Sequence, residues 1–432
     1  MKLLLTGARI IDPAQNIDSR MDIFLEDGKI AKIGTDISKS LKSKSSEKIT
    51  KIIDLTGMII VPGLIDMHTH LREPGFEYKE TIASGVAAAV AGGFTSIACM
   101  PNSNPVNDNR STTEFIRRKA AQAALANVYP IGAISKDSAG VKLTEFWDLK
   151  EAGIVALSDD GKPVMDAALM RRAMEYGFSL QLPVISHCED TNLSGGGLMN
   201  EGYYSTILGL SGIPGIAEEA MVARDILIAE FTKTSIHIAH VSTAGSVHLI
   251  RDAKKRGLKV TAETAPHYFT LTDESLQSYD TNFKVNPPLR SEQDLKAIKE
   301  GLADSTIDVI ACDHAPHGRT DKEVEFEYAA NGISGLETSL ALSLNLILDK
   351  TLNWPELIAK MSTNPARILN LPKGTLEAGA DADITVIDPL LQWTVDLQTF
   401  RSRGKNSPFN GRRMQGKAVL TIVGGEIKYD GR

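Results

Sequence analysis

Short apolar runs separated by turn residues open the chain. The segments "KLLLTGARII", "DIFLEDGKIAKIG" and "KIIDLTGMIIVPG" are typical of β-strands, and "EDGK" is a hairpin signal. The polar stretch Ser38–Lys51 predicts a solvated loop. Strand-like runs return near the other end of the chain in "ADITVIDP" and "AVLTIVGGEIKYDG". Two β-rich ends around a long middle predict one small β domain built from both termini.

The middle of the chain, residues 62–370, alternates between short apolar strands and helical patterns. Examples are "TSIACMPN" before "STTEFIRRKAAQAAL", "GIVALSDD" before "VMDAALMRRAMEYGF" and "SIHIAHVS" before "AGSVHLIRDAKKRG". Repeated β–loop–α patterns over this length favour a closed parallel barrel, the (β/α)8 TIM barrel, within the α/β class. An open doubly wound sheet is the alternative. Neither a dinucleotide-binding GxGxxG after a strand nor a GxxxxGK[ST] phosphate loop occurs.

Composition and charge limit the binding partners and the cellular compartment that the sequence predicts. Its 432 residues are 42% hydrophobic and 23% charged, as in ordinary globular proteins. A net charge of −7 argues against a nucleic-acid partner or an anionic membrane surface. The three cysteines match no disulfide framework and no CxxC zinc pattern, which favours a reducing, cytoplasmic setting. The N-terminus lacks the long apolar region of a signal peptide, and no apolar run reaches membrane-spanning length.

Histidines and carboxylates follow the predicted strands at the point where each strand ends. In "IDMHTHL", His68 and His70 are two residues apart, so a strand aims both imidazoles to one face. The groups that end other strands are Asp159, Asp160, His187, His240, Asp313, His314 and His317. The carboxyl ends of barrel strands meet at one rim, where such barrels keep their active sites. Imidazoles and carboxylates gathered there predict a site for zinc or a similar divalent ion.

Each of these residues also has a structural interpretation. One of Asp159 and Asp160 is expected to stabilise a turn or to cap the next helix. His187 or His240, taken alone, would be a hydrogen-bonded core histidine, and Asp313 could cap a helix. Packing, structural or surface roles are expected for His237, His248, His267, Cys188 and Cys312.

Polar groups near the same rim could bind a substrate. Arg72 follows the histidine pair by two residues and could hold a carboxylate through paired hydrogen bonds, with a surface salt bridge as the alternative. Asn102 and Asn286 follow apolar strands, where either could instead stabilise a turn. His317 could supply a cation or a hydrogen-bond donor, or it could cap a loop.

A series of motifs, in order along nearly the whole chain, resembles one known family. These motifs are "GLIDMHTHLREPG", "MPNSNP", "ALSDDG", "SHCED", "HVSTAGSV", "ETAPHY", "VNPPLR", "IACDHAPH" and "GISGLET". They resemble the dihydroorotases of the bacterial type I group, within the amidohydrolase superfamily. The HxH pair occurs throughout that superfamily, whereas "HLREPG", "VNPPLR" and "CDHAPH" are much more specific to dihydroorotases.

The resemblance implies a (β/α)8 barrel over residues 62–370 and a β-sandwich made of residues 1–61 and 371–432. It also implies two zinc ions per subunit: His68, His70 and Asp313 hold the first, His187 and His240 hold the second, and Asp160 bridges them. Many relatives, including hydantoinases, bridge with a carboxylated lysine on the fourth strand. The segment "GIVALSDDG" has no lysine at that place, and Lys162 lies beyond the strand.

The resemblance further implies a set of substrate contacts. Arg72, Asn102 and His317 match positions that bind the substrate carboxylate, and Asn286 matches a contact to the ring. His70 is expected to contact substrate as well as metal. Asn331 and Gly332 match a backbone contact, although the family often has an aromatic residue where Asn331 stands. The polar segment from His317 to Gly332 is expected to help cover the site.

The implied activity is the reversible cyclisation of N-carbamoyl-L-aspartate to L-dihydroorotate and water, the third step of de novo pyrimidine (UMP) synthesis. A metal-bridging hydroxide is the expected nucleophile in the hydrolytic direction, and Asp313 the expected general acid and base. A homodimer is expected, with aspartate carbamoyltransferase as a candidate partner.

Two alternatives stay open at this point. One is a hydantoinase or allantoinase, against which the missing lysine, Arg72 and "VNPPLR" argue. The other is a non-catalytic, dihydroorotase-like scaffold of aspartate carbamoyltransferase. Such a scaffold should have lost metal ligands, whereas every expected ligand type is present here.

Overall fold

The computed structural model describes residues 2–37 and 50–432, so the loop predicted at Ser38–Lys51 falls almost entirely outside the described residues. The β-strands are β1 (Lys2–Thr6), β2 (Arg9–Asp12), β3 (Ile17–Arg20), β4 (Asp22–Glu26), β5 (Lys29–Gly34), β6 (Lys51–Asp54), β7 (Ile59–Pro62), β8 (Leu64–Thr69), β9 (Phe94–Cys99), β10 (Asn127–Gly132), β11 (Ala156–Leu157), β12 (Ile185–Ser186), β13 (Met199–Asn200), β14 (Gly212–Ile213), β15 (Ile236–Ile238), β16 (Val260–Thr264), β17 (Val309–Ile310), β18 (Ile384–Thr394), β19 (Arg413–Val423) and β20 (Glu426–Asp430). The α-helices span Ile82–Ala91, Arg110–Ala123, Phe146–Ala152, Ala167–Ser179, Thr191–Ser194, Tyr203–Leu208, Ile216–Thr232, Ala244–Lys255, Glu292–Ala303, Arg319–Lys322, Leu336–Leu348, Trp354–Ile358 and Asn364–Ile368.

Strands from both ends of the chain share one β-sandwich. One sheet has the order β5-β4-β1-β6, and the other has the order β20-β19-β18-β7-β2-β3. The two ends meet where β7 pairs antiparallel with β18, with Pro62 opposite Ile384. Alternate apolar side chains from both sheets, including Leu3, Ile10 and Leu420, pack in one buried cluster. The prediction of a β unit built from both termini is confirmed, because the C-terminal strands β18, β19 and β20 complete a sheet that also contains the N-terminal strands β2, β3 and β7.

Eight parallel strands close into a barrel. Four of them pair in the order β11-β10-β9-β8 and four in the order β12-β15-β16-β17. Parallel bridges between Leu157 and Val184 and between Thr69 and His314 join the two groups at both edges. The (β/α)8 fold is therefore confirmed, and the open doubly wound sheet is wrong. Closure also makes the loops after β8 and β17 neighbours, although they are far apart in the chain.

Apolar side chains fill the barrel and seal its outer layer. Met67, Ile131, Ile185 and Val309, from strands all round the barrel, meet in one cluster. Outside, helices cover the strands, which is why every residue of β8 is buried. Within residues 2–37 and 50–432, none of the helices combines the length and apolar character needed to span a bilayer.

Polar caps start the covering helices close to the carboxyl rim. Thr243 caps Ala244–Lys255 by accepting the Ser246 N–H, and Ser291 forms a capping box on Glu292–Ala303. Each cap ends a strand-to-helix loop at a fixed place. The rim residues between strand end and cap are thereby held in position.

Candidate active site and metal centre

Asp160, just beyond β11, lies at the centre of the carboxyl rim. Its Oδ2 is 3.3 Å from His68 Nε2 and 3.6 Å from His70 Nε2. Its Oδ1 is 3.4 Å from His187 Nδ1 and 3.3 Å from His240 Nε2. One carboxylate oxygen thus faces each histidine pair. This is the arrangement that a carboxylate bridging two cations would need.

The donor atoms of this cluster fit metal ions better than they fit each other. Among the described residues, His68 Nε2 and Asp160 Oδ1 are buried without a hydrogen-bond partner. The ring nitrogens His187 Nδ1 and His240 Nε2 lie only 2.8 Å apart. His68, His70 and Asp160 form one group able to hold an ion, and Asp160, His187 and His240 form a second. Buried nitrogen and carboxylate ligands at this density match zinc or a similar divalent ion.

The charges inside the cluster shift the pKa values of its histidines and carboxylates. Burial lowers the pKa of His68, but the carboxylates of Asp160, Glu263 and Asp313 outweigh that effect and hold the pKa well above its usual value. Burial raises the pKa of Asp160, yet the charge of His68, together with the close ring nitrogens of His187 and His240, holds it well below its usual range. The cluster therefore keeps ionised carboxylates beside histidines whose protons a cation would replace.

In three histidines of the cluster, the ring nitrogen that points away from Asp160 contacts a side-chain oxygen. Glu263 Oε1 lies 2.5 Å from His68 Nδ1, and Asn102 Oδ1 lies 3.0 Å from His70 Nδ1. Glu189 Oε2 lies 3.2 Å from His187 Nε2. When the far nitrogen donates its N–H to oxygen, the near nitrogen keeps its lone pair for a metal.

Neither glutamate was predicted from the sequence. Glu263 stands in β16, directly before "TAPHY", and Glu189 follows "SHC". The rule that polar groups gather at strand ends applies to both, so that signal could have found them. Asn102, predicted to bind substrate, also contacts a predicted metal ligand, and Asn286 Nδ2 donates to Glu189 at 2.9 Å.

Asp313 lies on the His68–His70 side of the cluster, just beyond β17. Its Oδ1 is 3.1 Å from His70 Nε2 and 3.6 Å from His68 Nε2. Burial raises the pKa of Asp313, but the charges of His68 and His70 and a hydrogen bond from His70 hold it below its usual range. Asp313 has a φ of 48°, His240 of 34° and Arg72 of 61°, in the left-handed region that side chains rarely adopt. Such backbone strain is concentrated at functional sites.

A cavity of about 200 Å³ opens beside this cluster. Its lining consists of His70, Arg72, Asn102, Asp160, Gly161, His187, His240, Asn286, Asp313, Ala315, His317, Asn331 and Gly332. The structure thus brings every predicted site residue to one pocket except His68, which is fully buried beneath it. Gly332 has a φ of 143°, and a Cβ there would lie 2.6 Å from Ala315. A side chain at that position would clash with the wall of the pocket.

Arg72 supplies positive charge to the pocket without a carboxylate partner. Its Nε donates to Pro316 O at 3.2 Å, and its Nη2 lies 3.2 Å from His317 Nε2. No carboxylate among the described residues lies within ion-pair distance of its guanidinium, so the surface salt bridge considered as its alternative is wrong. Burial lowers the pKa of Arg72 to about 10, which leaves it charged at neutral pH. The pocket therefore combines the histidine and carboxylate cluster with an arginine that has no carboxylate partner among the described residues.

Several strand-end residues do not join the cluster. Asp159 turns away and accepts the Ser135 N–H at 3.0 Å, while its carbonyl accepts the Lys162 N–H in a turn. The next helix is capped by Asp166 instead. His237 contacts Glu263 and Thr261, as a structural histidine would. His267, Cys188 and Cys312 are buried, whereas His248 and Lys162 are exposed.

Asn406 reaches the pocket from the segment between β18 and β19. Its Nδ2 donates to Gly332 O at 2.9 Å and to Ala315 O at 3.1 Å. Its Oδ1 accepts the His317 N–H at 2.8 Å and the Ser334 hydroxyl at 2.9 Å. One buried amide therefore ties together two backbone stretches of the pocket wall. Nothing in the strand pattern pointed to a residue so far along the chain.

Comparisons with known proteins agree with this geometry. The chain matches the dihydro-orotase-like family over residues 57–246 and the amidohydrolase family over residues 218–428. It is 62% identical to a dihydroorotase from Syntrophus aciditrophicus over 429 residues, covering 99% of each chain. It is 55% identical to a dihydroorotase from Pelotomaculum thermopropionicum over 433 residues, covering 100% of this chain and 99% of that one.

Solved structures share the architecture at lower identity. An L-hydantoinase (dihydropyrimidinase) from Arthrobacter aurescens superposes with a TM-score of 0.87 at 25% identity, covering 99% of this chain and 96% of that one. A dihydropyrimidinase from Brevibacillus agri gives 0.86 at 22% identity, covering 100% and 95%. These likenesses concern the fold.

The closed barrel, the terminal sandwich and the buried histidine and aspartate groups define an amidohydrolase with a metal-binding centre. Within that class, full-length identity of 53–62% to curated relatives decides the family. The chain belongs to the dihydroorotase family.

Proposed function

We propose that this protein catalyses the reversible cyclisation of N-carbamoyl-L-aspartate to L-dihydroorotate in de novo pyrimidine synthesis, with two zinc ions per subunit. One observation carries the proposal: the pocket sets a carboxylate-bridged histidine cluster beside Arg72, a half-buried cation without a carboxylate partner among the described residues. A substrate with a hydrolysable amide and a free carboxylate needs both faces. The full-length dihydroorotase relatives support the same reaction.

The ligand roles in this proposal follow the distances in the cluster. His68 and His70 would hold one ion with Asp313, and His187 and His240 would hold the other. Asp160 would contribute one oxygen to each ion. Bound divalent ions supply an acidified water molecule and polarise the amide carbonyl. Glu263 and Glu189 keep His68 and His187 oriented for ligation.

Substrate would be held by groups on the opposite wall. Arg72 and His317 present N–H groups to the carboxylate, and Asn286 lies near the expected ring position. Binding the carboxylate at one wall fixes the distance between the amide carbon and the attacking water. The reaction then proceeds as if within one molecule, without the entropy cost of a bimolecular encounter. The lowered pKa of Asp313 keeps that side chain ionised at neutral pH, which is the form that a proton acceptor needs.

Asp313 would carry the proton between water and substrate. In hydrolysis, Asp313 Oδ2, the oxygen that His70 does not contact, takes a proton as the water oxygen bonds to the amide carbon. The same oxygen then delivers the proton to the departing ring nitrogen as the carbon–nitrogen bond breaks. In ring closure the order reverses: Asp313 takes a proton from the ureido nitrogen and returns it to the departing oxygen. The second proton of the water stays on the new carboxyl group and leaves to solvent as that group ionises, and ring closure takes up one proton from solvent in return.

The test is ultraviolet monitoring of dihydroorotate loss by the zinc-loaded wild type and Asp313→Asn. Removing the proton carrier should lower kcat by about 10²–10⁴-fold. The matched control is Asp159→Asn, which alters the buried carboxylate next to Asp160 in the chain. That carboxylate faces Ser135, away from the cluster, so the rate of the control should stay close to wild type. An unchanged rate in Asp313→Asn would remove it from this role. Faster turnover of hydantoin or allantoin than of dihydroorotate would overturn the substrate assignment.

The proposal extends to the organisation of the protein. We infer a division into the β-sandwich, residues 1–61 and 371–432, and the barrel, residues 62–370, with the Asn406 segment crossing to the barrel mouth. A cytoplasmic homodimer is proposed from the family resemblance and the frequency of twofold assemblies. Aspartate carbamoyltransferase is a candidate partner, but a purely scaffolding role would not require the complete ligand set. Light scattering of the purified chain, alone and mixed with that enzyme, would test both associations.

A further inference from the structure

Lys79 approaches the substrate wall from the turn that follows β8. Its Nζ lies 3.2 Å from His317 Nδ1, and its side chain is only 15% exposed. Asp321 Oδ1, 3.5 Å from Nζ, and the ring of Tyr78, 5.5 Å away, hold the ammonium in place. The contact joins the loop after the first barrel strand to the loop after the last one.

The neighbours of His317 decide which of its ring nitrogens carries the proton. Its Nε2 lies 2.9 Å from Asn331 O and 3.2 Å from Arg72 Nη2. Its Nδ1 lies 3.2 Å from Lys79 Nζ, whereas Asp321 Oδ2, at 3.8 Å, is beyond hydrogen-bond distance. An ammonium can only donate, and a carbonyl can only accept. With the proton on Nε2, Lys79 donates to Nδ1 and Nε2 donates to Asn331 O. With the proton on Nδ1, one N–H would face an ammonium and the Nε2 lone pair would face a carbonyl oxygen.

The doubly protonated ring is disfavoured by the same surroundings. Burial, together with the charges of Arg72, Lys79 and Lys322, lowers the pKa of His317 to about 2. A neutral ring is thus expected at neutral pH. The geometry favours its Nε2–H form, because that form satisfies two of the three polar contacts while the other satisfies one.

We propose that Lys79 is a positioning residue that holds His317 in the neutral Nε2–H form. The Nε2–H that donates to Asn331 O in the free protein can then turn to the substrate carboxylate, beside the N–H donors of Arg72. The carboxylate part of this inference rests on the proposed function. Without Lys79, the ring is free to place its proton on Nδ1 and to turn the Nε2 lone pair toward the anion. That form repels a carboxylate instead of binding it.

The kinetic test compares Lys79→Met with Lys119→Met, both zinc-loaded. Lys119 is the matched control because its Nζ pairs with Glu73 of the same loop at 3.0 Å, outside the pocket lining. Lys79→Met should raise KM for dihydroorotate about tenfold with kcat within about twofold, since uniform binding is lost. Lys79→Arg, which keeps a cationic donor, should recover most of the affinity, and Lys119→Met should behave as wild type. An unchanged KM in Lys79→Met, or a fall in kcat without a rise in KM, would overturn the proposal.

A substrate-free readout separates this inference from the proposed function. In ¹⁵N-histidine-labelled, zinc-loaded protein, the His317 resonances, assigned with His317→Gln, should report a proton on Nε2 in wild type and Lys119→Met. Lys79→Met should show an Nδ1–H or mixed form. If Lys79→Met fails to fold, the same result is expected of Lys79→Gln, whose shorter side chain carries no ammonium group. An unchanged Nε2–H signal would refute the positioning role. Absent dihydroorotate turnover in wild type would refute only the proposed function.

Discussion

Replacing Glu263 by glutamine probes how strongly the far side of a ligand histidine controls metal binding. Glu263 is buried in β16, with Oε1 2.5 Å from His68 Nδ1 and Oε2 3.3 Å from His237 Nε2. Burial raises its pKa, but the charges of His68 and His237 and the close contact with His68 Nδ1 outweigh that effect and lower it to about 2. Glu263 is therefore a carboxylate at every working pH, and it increases the basicity of His68 toward a metal.

The size of the effect follows from what glutamine keeps and what it loses. Its Oε1 can still accept the His68 N–H, so the packing and one hydrogen bond survive, but the charge does not. A charge-assisted hydrogen bond is about twice as strong as a neutral one. Loss of such a supporting partner typically weakens metal binding about 10–100-fold, or about 1.4–2.7 kcal/mol. Only the His68–His70 site should respond, because His187 relies on Glu189 instead.

The assay is stepwise zinc titration against a chromophoric chelator, for wild type, Glu263→Gln and Glu337→Gln. Glu337 is the control because its Oε1 accepts only the backbone N–H groups of Arg401 and Ser402, away from the cluster. Glu263→Gln should show one site weakened by at least about tenfold and the other unchanged. The control should retain wild-type affinity at both sites. Two sites of wild-type affinity in Glu263→Gln would refute the reasoning.

Three further outcomes are expected. Asn406→Ala should raise KM and lower the free energy of unfolding by roughly 3 kcal/mol, because it leaves several buried backbone groups unpaired. Exposed Asn410→Ala is the control. A wild-type KM and wild-type stability in urea for Asn406→Ala would contradict the role of Asn406 in holding the pocket wall. Burial raises the pKa of Glu337 from 4.5 to about 7, so the folded state binds the extra proton and stability from this group is lost as pH rises through that window. The free energy of unfolding of Glu337→Gln minus that of wild type, measured in urea, should therefore be up to about 3 kcal/mol larger at pH 8 than at pH 4. The same difference at both pH values would contradict this sign. Chelating the metal should lower the melting temperature and zinc should restore it, whereas Asp160→Asn should show a much smaller response; a zinc-independent wild type would argue against a tightly held ion.

Much of the site geometry could be predicted from local sequence. His68 lies near the end of β8, and His187, His240 and Asp313 each follow a strand. Parallel strands in a closed barrel place their carboxyl ends on one rim. The strand–helix alternation therefore determined both the fold and which side chains would meet. No contact between distant residues had to be known for that step, because the barrel imposes the same direction on every strand.

Other features were decided only by tertiary structure. Asp159 and Asp160 are adjacent and chemically identical, and only the twist at the end of β11 turns one toward the histidines and the other toward Ser135. Asn406 comes from beyond the barrel and contacts Gly332 through packing that no local pattern encodes.

The pairing of Lys79 with His317 shows the physical reason most clearly. The two residues are 238 positions apart, and they meet because the bridge between Thr69 and His314 closes the barrel. Periodicity specifies the type of an element and the face on which a side chain lies, since both depend on neighbouring residues. Which two loops touch depends on how the last strand pairs with the first, and that is a property of the folded chain alone.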